Sequence, residues 1–157
     1  MRWMIGVVLA LTVPSILPPN NVPTDSDIIG QWATPEASAG VEIYRATDST
    51  FEGRICWLKE PNYPADDKEG NKPKHDRENP DKSLQSRPII GLLIMKGVKF
   101  DGEEQWTGGT VYNPESGKEL KCKLRLIDKS TLAVRSFVGI SLFGRTEEWV
   151  RCTPPAK

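Results

Sequence analysis

Arginine supplies the best candidates for ligand chemistry in this chain. Arg54, Arg87 and Arg145 each adjoin a glycine or a proline, and Arg135 follows Val134 in an alternating run. A guanidinium grips a carboxylate or phosphate through two parallel hydrogen bonds, so several converging on one place would hold an anionic ligand. The competing reading pairs them with Glu42, Glu52, Glu147 and Glu148 across neighbouring strands, an ordinary arrangement on the outer face of a sheet. Cross-strand pairing is the simpler of the two, with Arg54 and Arg145 as the pair to test. A second group, Asp66, Asp67, Asp76 and Asp81 with Asn71 and Asn79, offers the oxygen ligands that calcium takes. Its spacing departs from the calcium-loop pattern, so it reads as a solvated loop. No metal and no cofactor is expected. His75 is the only histidine and lies in that charged loop, and no serine or cysteine stands in a nucleophile motif. The titratable groups are scattered rather than clustered, so the chain reads as a binding protein and not as an enzyme.

Positioning such side chains requires a scaffold, and the two ends of the patterned region point to one. Gly30-Gln31-Trp32 opens it and Trp149-Val150-Arg151 closes it. In a small closed β-barrel the first and last strands meet, so an arginine can lie over an indole face, drawn by the negative face of the ring. Trp32 and Arg151 are therefore read as a structural clasp that seals one end, in preference to an aromatic platform for a ligand.

The segments between them alternate like half-buried strands. Asp27 to Thr34 is a first strand, Val41 to Arg45 a second, and Thr47 to Thr50 a hairpin turn. Phe51 to Leu58 is a third strand, with Phe51, Gly53, Ile55 and Trp57 on one face. Lys59 to Pro88 is polar and without period, and connections this long in a small domain are functional or disordered. Within it, Asn79 as N-cap and Pro80 at the first position predict a short helix to Ser86, with Leu84 inward. Ile89 to Met95 is an apolar run read as a strand, and Gly97 to Glu104 a turn. Gln105 to Asn113, Lys118 to Ile127, Thr131 to Val138 and Arg145 to Cys152 complete the set. The clearest of these alternates Leu120, Cys122, Leu124 and Leu126 against Lys121, Lys123 and Arg125. The fold class is thus all-β: about eight antiparallel strands in an up-and-down barrel with one long loop containing a short helix. Apolar candidates for lining its interior are Phe51, Ile55, Trp57, Trp106, Tyr112, Leu124, Val134 and Phe137.

Composition agrees with one domain. The chain has 157 residues, with 21 Lys and Arg balanced by 21 Asp and Glu. That balance gives no electrostatic reason to expect nucleic acid or an anionic membrane as partner. Met1-Arg2 followed by a nearly unbroken apolar run from Trp3 to Leu17 predicts an export signal, too short for a comfortable membrane span. Residues 1–26 are assigned to signal and linker, 27–153 to the barrel and 154–157 to a tail. The expected location is periplasmic or secreted. Cys56, Cys122 and Cys152 allow at most one internal disulfide and read as small core residues without a bridge.

The ordered motifs carry a family resemblance. Gly30-x-Trp32, Glu42-Ile43-Tyr44, Gly53-Arg54-Ile55-x-Trp57-Leu58, Asn79-Pro80-Asp81 and Arg87-Pro88 lie in the first half. Gly91-Leu92, Trp106-x-x-Gly109-x-x-Tyr112-x-Pro114-x-x-Gly117-Lys118, Leu132-x-Val134-Arg135 and Phe143-Gly144-Arg145-Thr146-x-x-Trp149-x-Arg151 follow. In this order they resemble the exported bacterial proteins grouped as domain of unknown function 2147. The resemblance implies a lipocalin-like, calycin-type barrel of the bacterial envelope or exterior, with no established activity. Members of that family commonly carry cysteines before the glycines matching Gly53 and Gly91. Here Glu52 and Ile90 stand there, so a disulfide between the third and fourth strands is not implied.

The leading functional expectation is a non-catalytic barrel that holds a small apolar or amphipathic ligand, such as a fatty acid or lipid fragment. The expected ligand-binding residues are Arg54, Trp57, Trp106, Tyr112, Arg135 and Arg145, with the long loop as rim or lid. The alternative is an envelope protein-interaction module with a filled core, meeting its partner through Lys121, Lys123, Arg125 and the loop.

Overall fold

Each alternating run of the sequence becomes a strand in the computed structural model, which describes residues 22–46 and 49–153. The strands are β1 (Gly30–Ala33), β2 (Ala39–Arg45), β3 (Phe51–Leu58), β4 (Leu93–Phe100), β5 (Gln105–Asn113), β6 (Lys118–Asp128), β7 (Thr131–Phe137) and β8 (Arg145–Arg151). Each pairs antiparallel with its neighbour in sequence. β1 returns to β8, with Trp32 opposite Arg151 and Ala33 opposite Val150, so the sheet is a closed eight-stranded barrel. Closure gives every strand a neighbour on both sides, which removes the free edge strands that template association.

The two ends of the barrel differ. At one end Ile43, Phe51, Met95, Val98, Trp106, Leu124 and Leu132 fill the interior with essentially no solvent contact. A 3₁₀ turn, Asp25–Ile28, closes that end with Ile28 as its buried stopper. Its carbonyls are taken by side chains from the barrel: Trp32 Nε1 donates to Ile28 O at 2.8 Å and Trp106 Nε1 to Asp25 O at 2.9 Å. Arg151 donates to Ile29 O at 2.9 Å and to Asp27 O at 2.6 Å, and its guanidinium lies 4.1 Å over the Trp32 ring. The two indoles contribute roughly 4 kcal/mol each through buried area alone. Gly30 is required beside them. Its φ is +131°, and a Cβ there would lie 2.7 Å from Arg151 Nη1.

Several boundaries differ from the sequence expectation. Asp27 and Ile28 belong to the plugging turn rather than to β1, because their backbone faces the indoles and Arg151. Of the apolar run from Ile89 to Met95, Ile89 and Leu92 are buried in the end of the long loop, and β4 begins at Leu93 and continues through Gly97 to Phe100. The expected helix from Pro80 shrinks to one 3₁₀ turn, Lys82–Leu84, capped by Asp81, whose side chain accepts from Ser83 N at 2.9 Å. Leu84 is only half-buried. Asn79 lies two residues before that cap: its Oδ1 accepts from Asp81 N at 2.9 Å and its Nδ2 donates to Asp76 at 2.8 Å, so it shapes the turn that leads into the cap. The three cysteines are unbridged. Cys122 is core, whereas Cys56 and Cys152 are half-buried beside Gln31: Cys56 Sγ lies 3.7 Å from Gln31 Oε1, and Cys152 N donates to Gln31 O. The expected export signal as far as residue 21, the turn residues 47 and 48 and the tail from 154 lie outside the described residues.

Candidate functional site

The other end of the barrel is open. There the β1–β2 turn, the long loop between β3 and β4, the β5–β6 hairpin and the facing ends of β7 and β8 surround a cavity of about 820 Å³. Period-2 alternation aims Val41, Ile55, Ile94, Val111, Leu120 and Val134 into it, with Trp149 as a side wall. Two polar groups share the β7–β8 wall, Ser136 and Glu147, and Trp149 Nε1 points at Glu147 Oε2 from 3.4 Å. The rim is charged and includes Glu36, Lys59, Glu60, Lys74, His75 and Arg77. Among the described residues the ammonium groups of Lys59 and Lys74 have no hydrogen bond or ion pair.

The long loop that forms much of this rim is built rather than slack. Asp76 is fully buried and is its hub. It accepts from Tyr112 Oη at 2.6 Å, Arg87 Nη2 at 2.7 Å and Asn79 Nδ2 at 2.8 Å, while its own N–H donates to Arg87 O. Burial, then the bond to Asp76, pushes the Tyr112 hydroxyl up to about 12, so it stays a donor throughout the physiological range. A second cluster stacks above. Arg77 clasps Asp67 with two bonds of 2.9 and 3.0 Å and lies 4.1 Å over the Tyr63 ring. Tyr63 Oη donates to His75 O at 3.0 Å, and both ring nitrogens of His75 meet oxygen, Gln85 O and Glu69 Oε2. Arg77, followed by backbone N–H from Glu69, holds the Asp67 carboxyl below its ordinary value. The loop also seats on the β5–β6 hairpin, where Gly117 has φ +69° and a Cβ would collide with Glu78 O.

A family model described as "Uncharacterized protein conserved in bacteria (DUF2147)" matches residues 30–151. The chain belongs to the DUF2147 family. The matched span begins at the glycine that Arg151 crowds and ends at Arg151, so it covers the closed ring from clasp to clasp. Among solved structures, the DUF2147 chain is similar to protein HP1028 from the human pathogen Helicobacter pylori, which is described as belonging to the lipocalin family. The TM-score is 0.67 at 21% identity, over 80% of this chain and 83% of that one. At this identity the likeness concerns the fold, and the DUF2147 barrel is lipocalin-like. No curated protein gives a significant match.

Of the six expected ligand residues, the cavity lining includes Tyr112 and none of the others. Arg54 is on the outer wall, paired with Glu42 at 2.7 Å and lying over the Tyr44 ring. Trp57 is turned out by a bulge. The β2–β3 register passes from Gly40 opposite Trp57 to Val41 opposite Ile55, leaving Cys56 extra, and the indole covers Gly40 so closely that no Cβ would fit. The Trp57 Nε1 has the Cys152 thiol beside it and no other partner among the described residues. Trp106 points inward but at the plugged end. Arg135 is outside and bonds the backbone of the β7–β8 loop. Arg145 is 81% exposed and stands 3.8 Å from Glu147. Of the apolar lining candidates, Ile55, Tyr112 and Val134 reach the cavity, Phe51, Trp106 and Leu124 fill the plugged half, and Phe137 faces outward opposite Lys121. Val41, Leu58, Ile94, Val111, Leu120 and Trp149 were not singled out for the cavity. Alternation marks them as inward, but their height along the barrel has no local signal.

Proposed function

We propose that this DUF2147 protein is an exported, non-catalytic binder of a small apolar or amphipathic molecule of the fatty-acid or lipid-fragment class, held in the open half of the barrel. The cavity carries the reading: about 820 Å³, apolar at depth, with two uncommitted lysines at its rim. That volume falls within the roughly 300–1,000 Å³ of small-molecule sites. An alkyl tail fits between Val41, Ile55, Ile94, Leu120 and Val134, while a carboxylate head stays at the rim within reach of Lys59 or Lys74. Of the other rim groups, Arg77 is committed to Asp67 and His75 to Glu69, which favours binding over chemistry. Export rests on the apolar run of residues 3–17. The alternative module needed a filled core, and the core is filled only at the plugged end.

Titration with cis-parinaric acid, a fluorescent fatty acid, followed by displacement with palmitate tests the reading. Saturable one-site binding on the order of micromolar is expected. Val134→Trp, which fills the cavity, weakens it at least tenfold. Joint Lys59→Glu and Lys74→Glu weakens palmitate but not hexadecanol. Probe binding that never saturates, or that Val134→Trp leaves unchanged, refutes the site.

A further inference from the structure

We propose that the loop joining β7 to β8 is a membrane-docking element, which seats the open end of the barrel on a bilayer surface carrying anionic headgroups. This stands apart from the cavity's occupant, because it uses none of the lining side chains. Within six residues the loop presents Val138, Ile140, Leu142 and Phe143 at 74, 60, 74 and 78% exposure. An apolar cluster this exposed marks an interaction site.

The loop is held in this form. Arg135 donates from Nε to Ser141 O at 2.7 Å, from Nη2 to Leu142 O at 3.1 Å and from Nη1 to Thr146 Oγ1 at 2.8 Å. One guanidinium thus fixes the loop backbone to the outer wall, with the apolar side chains facing solvent instead of folding over the mouth. Gly139 supplies a φ of +70°, and at Gly144 a Cβ would lie 2.6 Å from Ser136 O.

The charge behind the tip chooses the partner. Lys121 sits opposite Phe137 at the base of the loop, Arg145, opposite the cavity-lining Ser136, stands there on the mouth side, and Lys123 sits opposite Arg135 one inward–outward repeat further down the outer wall. That step is about 7 Å, the depth separating the acyl boundary from the headgroups. Among the described residues Lys121, Lys123 and Arg125 have no carboxylate partner, and Arg135 binds only carbonyl and hydroxyl oxygens. The nearby acids are few: Glu147 is 3.8 Å from Arg145, Glu119 is taken by Lys96 at 2.8 Å, and Glu148 faces out opposite Ala133. A chain of zero net charge therefore has one locally cationic wall ending in an apolar tip. A convex apolar tip backed by free cations suits insertion between anionic headgroups, whereas a protein partner would need a complementary acidic groove.

Hydrogen–deuterium exchange of the full chain with phosphatidylcholine vesicles containing 30% phosphatidylglycerol (about one anionic lipid in three, enough to attract juxtamembrane cations) reads the contact locally. A local readout is needed because residues 3–17 are themselves apolar. Protection confined to residues 137–145 and the outer positions of β6 is expected, with less on pure phosphatidylcholine. Leu142→Asp with Phe143→Asp abolishes it, and Lys121→Gln with Lys123→Gln weakens it roughly thirtyfold. Ile127→Asp, an exposed apolar position at the plugged end, leaves it intact. These are surface changes, and an unchanged thermal midpoint without vesicles verifies folding. An unprotected loop, equal protection on both vesicle types, or loop protection that arises from self-association without lipid would each overturn the proposal.

Discussion

Asp76 shows how far one side chain can organise a functional rim. A buried carboxylate survives only when paired and fully hydrogen-bonded, and here it receives three side-chain donors from two separate stretches of chain. Asp76→Asn keeps the shape but loses the charge facing Arg87 and turns one acceptor into a donor. A loss of about 3 kcal/mol in urea unfolding is expected. Tyr112→Phe removes a single donor and costs about 1–2 kcal/mol. The double variant should lose less than the sum, since both act on one network. Simple additivity would show that Tyr112 and Asp76 do not depend on each other. In the sequence these residues looked unrelated: Asp76 was one acid in a polar stretch and Tyr112 one aromatic in a strand. Their 36-residue separation hides the contact, because a buried polar pair has no periodic signature.

At the scale of elements, the long loop behaves as a fitted piece rather than a tether. It is pinned by Asp76 to β5, by Gly117 to the β5–β6 hairpin and by the Arg77–Asp67 pair to itself. Two of its carboxyls, Asp67 and Asp81, are held below their ordinary value of 3.8, by Arg77 and by Ser83 respectively, each helped by backbone N–H. A depressed carboxyl binds its proton more weakly folded than unfolded. Its stabilisation is therefore complete above about pH 4–5 and is lost as pH falls through the folded value. Amide exchange across residues 63–87 should be flat from pH 8 to 5 after correction for intrinsic rates, then accelerate below about pH 4. Acceleration on raising the pH instead would contradict this assignment of the loop's acids. The start of β4, which the sequence placed too early, has a physical cause. Ile89 and Leu92 are apolar because they anchor the loop end beside β3, where Ile55 N donates to Leu92 O and Gly91 N to Ile55 O. Hydrophobicity records burial there, not strand geometry.

The whole molecule is a ring whose β1–β8 seam is clasped by one side chain. Arg151 joins β8 to the plugging turn and to Lys129 O at 2.9 Å while covering Trp32. Arg151→Leu keeps much of the bulk but removes the cation and its donors. A loss on the order of 3 kcal/mol is expected in equilibrium unfolding. A loss under about 1 kcal/mol would mean that the strands close without the clasp. By itself the sequence determined the number and order of the strands, their inward and outward faces, and the pairing of Trp32 with Arg151. Those are consequences of a period of two and of which strands come first and last. Tertiary structure alone decided that Trp106, Phe51 and Leu124 plug one end while Ile94, Leu120 and Trp149 line the other, that the bulge at Cys56 turns Trp57 outward, and that Arg135 props up an apolar loop. The reason is that side-chain direction is written locally every second residue. Height along the barrel axis and contact across the ring come from the register summed over all eight strands, which no single stretch of chain contains.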